Sequence, residues 1–240
     1  LILLTTAACA PMPPAHPHWT YAGAHGPAHW GELDPHYRTC RTGHAQTPID
    51  LAVAEADPSE LPLLSYTRGP AKLTNNGHTV QFAGPAGSTL SLDGATYALQ
   101  QVHFHAPSEH TVDGRAYAME AHFVHADAAG QLAVVGVLYD VGPENAPLAP
   151  LWAVLPTKAG VAAPDLAFDP SALIPTAPAA WHYEGSLTTP PCTEGVEWFV
   201  LVAPAAVSAA QVARWKAIFG PSTARPVQPR GEQHFLVQHP

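Results

Sequence analysis

The chain has 240 residues, 27 of them proline, and a formal charge of −9, with fifteen histidines beside only ten lysines and arginines. That length suits one large domain, since all-β domains of this size commonly stay single, and the prolines call for many loops over a strand framework. The acidic balance excludes a phosphate-binding surface, which draws on clustered Lys and Arg, so the expected partner is a small molecule and not a nucleic acid.

The opening "LILLTTAACAPMPPAHPH" has the apolar run of a secretory signal and is too short to span a bilayer, so no transmembrane segment is expected. Ala8-Cys9-Ala10 has the small-residue form of a cleavage site, while Cys9 after Thr6-Ala7-Ala8 also suits a lipid anchor. Residues 1–18 are therefore read as an export-signal remnant with a disordered lead-in, and residues 19–240 as one domain. If Cys9 leaves with the signal, Cys40 and Cys192 remain to pair in an oxidising compartment, periplasmic or extracellular. Closing so long a loop is worth roughly 5 kcal/mol in the chain-entropy model. Two buried free thiols are the alternative.

Alternating apolar patterns predict strands over residues 79–82, 89–92, 97–105, 116–125, 132–139 and 196–202. "TYALQQVHFH" and "AYAMEAHFVH", extended back to Ala95 and Arg115, read as a hairpin joined by the turn-rich "APSEHTVDGR". A helix is predicted over residues 208–220, where Ser208 caps, Gln211 stands three residues on, and Gly220-Pro221 stops it. A second is expected over residues 147–155.

On a strand, residues i and i+2 share a face about 7 Å apart along the backbone, so His103 and His105 point one way and Phe104 the other. His122 completes a trio if the register sets it opposite them, whereas His125 lies on the other face. Three neutral imidazoles leave a tetrahedral zinc one open position, as a catalytic site requires. Gln101 shares the face of His103 and Glu120 that of His122, so each can accept a ring N–H and fix which nitrogen meets the metal.

The segments "QVHFHAPSEH", "EAHFVH" and "GSLTTPPCTEGVEW" closely resemble the α-class carbonic anhydrases, particularly the exported bacterial ones. "WTYAGAHGPAHW", "QTPIDL", "NNGHTVQF" and "ARPVQP" extend the likeness in family order from Trp19 to Gln238. The resemblance implies a mainly β (α+β) fold, a single domain with a large twisted, mostly antiparallel central sheet and short peripheral helices. It implies one Zn2+ per chain on His103, His105 and His122, with Gln101 and Glu120 as outer partners. The outer partner of the third ligand would be a backbone carbonyl near "ARPVQP", where Thr223 stands in place of the family's usual Asn.

By the same resemblance the enzyme is a carbonate dehydratase, converting carbon dioxide reversibly to bicarbonate and a proton by zinc-hydroxide attack. Thr188 and Glu109 would aim the hydroxide, with Thr189 lining the same cavity. Val124, Val134, Leu187, Val196 and Trp198 would form the apolar substrate pocket. Direct proton loss from a zinc water of pKa about 7 is limited to ~10^3 per second if recapture is diffusion-limited, a ceiling that buffer or an imidazole relay would lift. His78 holds the family's shuttle position, with Tyr21, Asn76 and Gln81 ordering the connecting water. His110 is expected to be structural. A zinc buffer, a non-catalytic relative and an esterase are the rival readings, and association into a homodimer is left open.

Overall fold

The computed structural model describes residues 17–51, 55–57, 61–175, 179–231, 233 and 235–238. The expected signal region through residue 16, with Cys9 in it, lies outside the described residues.

Among the described residues an 11-stranded sheet dominates. It runs, neighbour to neighbour, through Glu55–Asp57, Phe235–Gln238, Ala180–Ser186, Glu194–Val207, Leu132–Val141, Met119–Ala126, Ala95–His105, Val80–Ala83 and Thr74–Asn75. Thr89–Leu92 pairs with the first residues of Ala95–His105 and carries Leu63–Ser65 beside it. Most neighbours are antiparallel, but Leu132–Val141 lies parallel to Glu194–Val207, and Phe235–Gln238 parallel to Glu55–Asp57. The sheet is therefore mixed, with a parallel joint beside the histidine strands.

The predicted strands are all present with shifted ends, and the differences have local causes. Glu194–Val207 outruns the expected 196–202 because a register shift between Val137 and Tyr139 leaves residues 202–204 unopposed, which accommodates Pro204 without a lost ladder hydrogen bond. The expected second arm of the hairpin begins at Met119 instead of Arg115. Asp113 and Gly114 both take positive φ, 48° and 74°, and turn Arg115–Ala116 back onto Thr111–Val112 in a separate small sheet with Asp50–Leu51. The strand Ala180–Ser186, "AWHYEGS", is absent from the predicted set although its burial alternates, with Trp181 and Tyr183 buried on one face and His182 half-buried and Glu184 exposed on the other.

Helix Ala209–Phe219 has the expected capping box: Ser208 Oγ accepts from Gln211 N (3.2 Å), and Gln211 Oε1 accepts from Ser208 N (3.1 Å). The expected 147–155 helix is the single turn and a half Ala149–Ala153. Trp152 and Trp215, one from each helix, meet Phe104 edge-on at centroid distances of 5.1 and 5.8 Å. The side chain between the paired histidines thus plugs the core on the opposite face of the sheet, and its burial fixes which face His103 and His105 occupy. Such a buried aromatic contributes about 3 kcal/mol by area alone.

Cys40 and Cys192 form a disulfide across 152 residues, which joins an N-terminal helix turn to the loop before Glu194–Val207. Replacing both with Ser is expected to lower unfolding stability by an amount on the order of 5 kcal/mol. Urea unfolding of the oxidised parent and the double variant measures the difference, and equal midpoints would remove the disulfide from the account of stability.

Candidate metal centre

The ladder between Met119–Ala126 and Ala95–His105 sets His122 opposite His103 and Glu120 opposite His105. The three rings converge, with centroids 4.9 Å (His103 to His105), 5.1 Å (His103 to His122) and 4.7 Å (His105 to His122) apart. One nitrogen from each lies within 4.8 Å of the others.

Hydrogen bonds on the far side of each ring decide which nitrogens these are. His103 Nδ1–H donates to Gln101 Oε1 (2.8 Å), His105 Nδ1–H to the Thr223 carbonyl (2.6 Å) and His122 Nε2–H to Glu120 Oε1 (2.9 Å). That leaves Nε2 of His103, Nε2 of His105 and Nδ1 of His122 as lone pairs facing a common point. Burial lowers the pKa of all three imidazoles, that of His105 to about 4, so they are neutral at pH 7.

The donor set fits a divalent metal. His105 Nε2 is buried without any hydrogen-bond partner, a costly state for an aromatic nitrogen unless something there accepts its lone pair. Three neutral nitrogens suit zinc and leave its full charge on the site. A second convergent group, His110, Glu120 and His122, is already saturated. Glu120 Oε1 accepts from His110 Nδ1 (2.7 Å) and His122, while Oε2 accepts from the backbone N–H of Glu109 and His110 (both 2.9 Å). Burial alone would raise the Glu120 pKa, but the two imidazoles and their hydrogen bonds outweigh it and hold the carboxyl well below the usual range. Gly136 lies opposite His122 in the ladder, and a Cβ there would meet Glu120 Oε1 at 3.1 Å and Val200 at 3.3 Å.

Glu109, wholly buried, stands over the same point: its Oε2 is 3.4 Å from His105 Nε2 and 3.9 Å from His122 Nδ1. Its Oε1 accepts from Arg225 N (2.8 Å), while Oε2 makes no hydrogen bond of normal geometry. Burial raises its pKa to about 7, against the lowering effects of His122, Arg225 N–H and the nearby Thr188 hydroxyl. Thr188, which the sequence reading pairs with Glu109, is buried as well.

A pocket of about 110 Å³ opens from His103 and His105 to solvent, lined also by Tyr21, Asn76, His78, Gln81, Gln101 and Thr189. The whole expected proton path is gathered there. Asn76 Nδ2 donates to Gln81 Oε1 (3.1 Å), and Asn76 Oδ1 accepts from the backbone N–H of His78 (2.9 Å). The His78 ring lies flat on Trp19, 3.6 Å between centroids and 8° between planes, with His18 at 5.2 Å. Partial burial first and the charge of His18 second lower its pKa to about 4.

On the other flank, Val124, Val134, Leu187, Val196 and Trp198 belong to one apolar cluster. Trp198 meets His122 edge-on at 4.9 Å, so this wall abuts the metal ligands.

His110 donates to Glu120 and its Nε2 is 2.6 Å from Tyr183 Oη, a supporting position. His125 lies off the site, its Nδ1–H donating to the Ala133 carbonyl (3.2 Å) and its Nε2 accepting from Tyr66 Oη (2.9 Å). Sequence reasoning missed Trp19, Tyr183, Gln46 and Arg225. None is itself a metal-ligand type, and the role of each rests on contacts more than 50 residues away in the chain; only the presence of Trp19, Gln46 and Arg225 within recognised segments could have flagged them.

Residues 25–234 match the family model described as eukaryotic-type carbonic anhydrase. A carbonic anhydrase of Klebsiella pneumoniae is 45% identical over 216 residues, covering 88% of this chain and 87% of that protein. One of Neisseria gonorrhoeae is 41% identical over 232 residues, 95% of this chain and 91% of its own length. Among solved structures, the α-carbonic anhydrase of Thermovibrio ammonificans, in complex with the inhibitor sulfanilamide, superposes with a TM-score of 0.89 at 40% identity. It covers 91% of this chain and 98% of that one.

Because Glu120 bridges His122 to the backbone of residues 109–110, Glu120→Gln is expected to weaken divalent-metal binding about 10- to 100-fold. Competition against a chelator reads this directly, and unchanged affinity would show that the carboxylate only fills space.

Proposed function

The chain belongs to the eukaryotic-type, or α, carbonic anhydrases, and we propose that its carbonate dehydratase activity runs on zinc held by His103, His105 and His122. The observation that carries this reading is the orphaned, buried Nε2 of His105 beside two imidazoles whose other nitrogens are already committed. When bound there, zinc supplies Lewis acidity enough to ionise water near neutral pH; carbonic anhydrase is the standard case of that effect.

The protein's own residues supply direction. The Thr188 hydroxyl would accept a hydrogen bond from the O–H of the nucleophile and donate one to Glu109, which would fix one lone pair of the nucleophile towards the substrate. Glu109 can serve as that acceptor because its other oxygen is pinned by Arg225 N–H. Carbon dioxide offers no strong polar handle, and the apolar wall of Val124, Val134, Leu187, Val196 and Trp198 gives it a dry place next to the nucleophile. Thr189, on the pocket rim, borders the same space.

Regeneration of the hydroxide requires proton export, and His78 is the imidazole at the pocket mouth suited to it, with Tyr21, Asn76 and Gln81 ordering the water between. The stacked position sets a condition. A ring pressed on Trp19 and held neutral must leave the indole face for water before it takes a proton near pH 7. The zinc-buffering reading has less support: among the described residues both convergent metal-binding groups share His122.

The disulfide suits an oxidising compartment, which supports a periplasmic or secreted enzyme. No helix among the described residues is long and apolar enough to cross a membrane.

Fast acidification of CO₂-loaded solution that vanishes on chelation and returns with one zinc per chain is the expected behaviour; zinc binding without hydration would sink the enzymatic reading. His78→Ala should slow turnover in weak buffer and recover with added imidazole. Equal rates for variant and parent at every buffer concentration would reject the shuttle role.

A further inference from the structure

Residues 222–230 belong to no helix or strand, yet this irregular segment touches the metal site twice. The Thr223 carbonyl orients His105 (2.6 Å), and the Arg225 N–H orients Glu109 (2.8 Å). Thr223 is clipped to the ligand strand by Ala106: Thr223 N–H donates to the Ala106 carbonyl (2.9 Å), and Thr223 Oγ1 accepts from Ala106 N (3.1 Å). Further on, the backbone is tied once more, where Gln228 N–H donates to the Pro48 carbonyl (2.8 Å), and between these points a side chain adds the remaining grip.

The Arg225 side chain does this from the opposite direction. It is buried, 2% exposed, and its guanidinium is taken up by acceptors from the N-terminal part of the chain. Nη1 donates to the Thr47 carbonyl (2.7 Å), while Nη2 donates to the Cys40 carbonyl (3.1 Å) and Gln46 Oε1 (2.9 Å). Gln46 in turn donates to the Cys192 carbonyl (3.1 Å) and Glu194 Oε1 (3.0 Å). Among these contacts no carboxylate meets the guanidinium directly. A cation buried among neutral acceptors is an expensive way to fill space, whereas its planar fork ties the 223–225 segment at three points to the distant 40–47 stretch.

We infer that Arg225 is a positioning residue for the reaction: its guanidinium seats the 223–225 segment so that Thr223 O fixes the His105 ring and Arg225 N–H fixes Glu109. The inference rests on the zinc-hydratase reading above. Lys cannot reproduce the fork and reaches one acceptor of the three, so Arg225→Lys leaves charge in place but releases the segment. Both the metal ligand and the carboxylate that aims the nucleophile then lose orientation together.

The test uses zinc-loaded parent, Arg225→Lys, Gln46→Met and a packing control, Val212→Ala, on helix Ala209–Phe219 away from the site. Zinc release to a chelator, kcat/KM for carbon dioxide and the thermal midpoint are measured for each. Arg225→Lys should release zinc about 10-fold faster and lose about 10-fold in kcat/KM, the lower edge for outer partners of a metal site. Gln46→Met, which removes one acceptor, should fall between it and the parent, and it carries the comparison should Arg225→Lys not fold. The control should lose thermal stability without either change. Parent-like release and kcat/KM in both site variants would overturn the inference, as would a control that shifts both in step with its thermal midpoint. A parent that neither holds zinc nor hydrates carbon dioxide fails earlier and overturns the functional reading with it.

Discussion

The antiparallel ladder that sets His122 against His103 and Glu120 against His105 is the constraint from which the site follows. Side chains alternate along strands, so a slip of one residue would part the trio, either by turning His122 and Glu120 to the far face or by turning His103 and His105 away and Phe104 into the pocket. Phe104, wedged against Trp152 and Trp215, makes such a slip costly. Core packing on one face therefore guards metal geometry on the other.

Given that register, each imidazole still has two nitrogens and two tautomers. The outer partners resolve the ambiguity with three different kinds of acceptor: an amide on the same strand, a carboxylate on the neighbouring one and a backbone carbonyl from near the C-terminus. Glu120 is the most heavily used, accepting four hydrogen bonds on its two oxygens. Its ionised form is sustained in a fully buried place because every lone pair direction is answered. The same carboxylate fixes the backbone of Glu109, so ligand orientation and the aiming of the nucleophile share one anchor.

The two walls of the site differ in the way the chemistry requires. Apolar side chains from the parallel joint of the sheet abut His122 through Trp198, where a nonpolar gas needs dry space. The polar residues Tyr21, Asn76, His78 and Gln81 line the side that opens to solvent, where protons must leave. His78 rests on Trp19 on that side.

The His-x-His on one predicted strand, the third His on the next and the same-face Gln101 and Glu120 were all legible from alternation alone, because a strand's side-chain directions are set by its own backbone. The capping box of Ser208 and Gln211 was legible for the same local reason. Family likeness added Thr188, Glu109 and His78, which no spacing rule would pick out. The strand Ala180–Ser186 was not picked out, although Trp181 and Tyr183 are buried on one face and Glu184 is exposed on the other. Nor were the grip of Arg225 on Cys40, Gln46 and Thr47, the stack of His78 on Trp19, or the support of His110 by Tyr183. Those contacts join segments far apart in the chain, and only the folded sheet, with the loops packed around it, decides which of them meet.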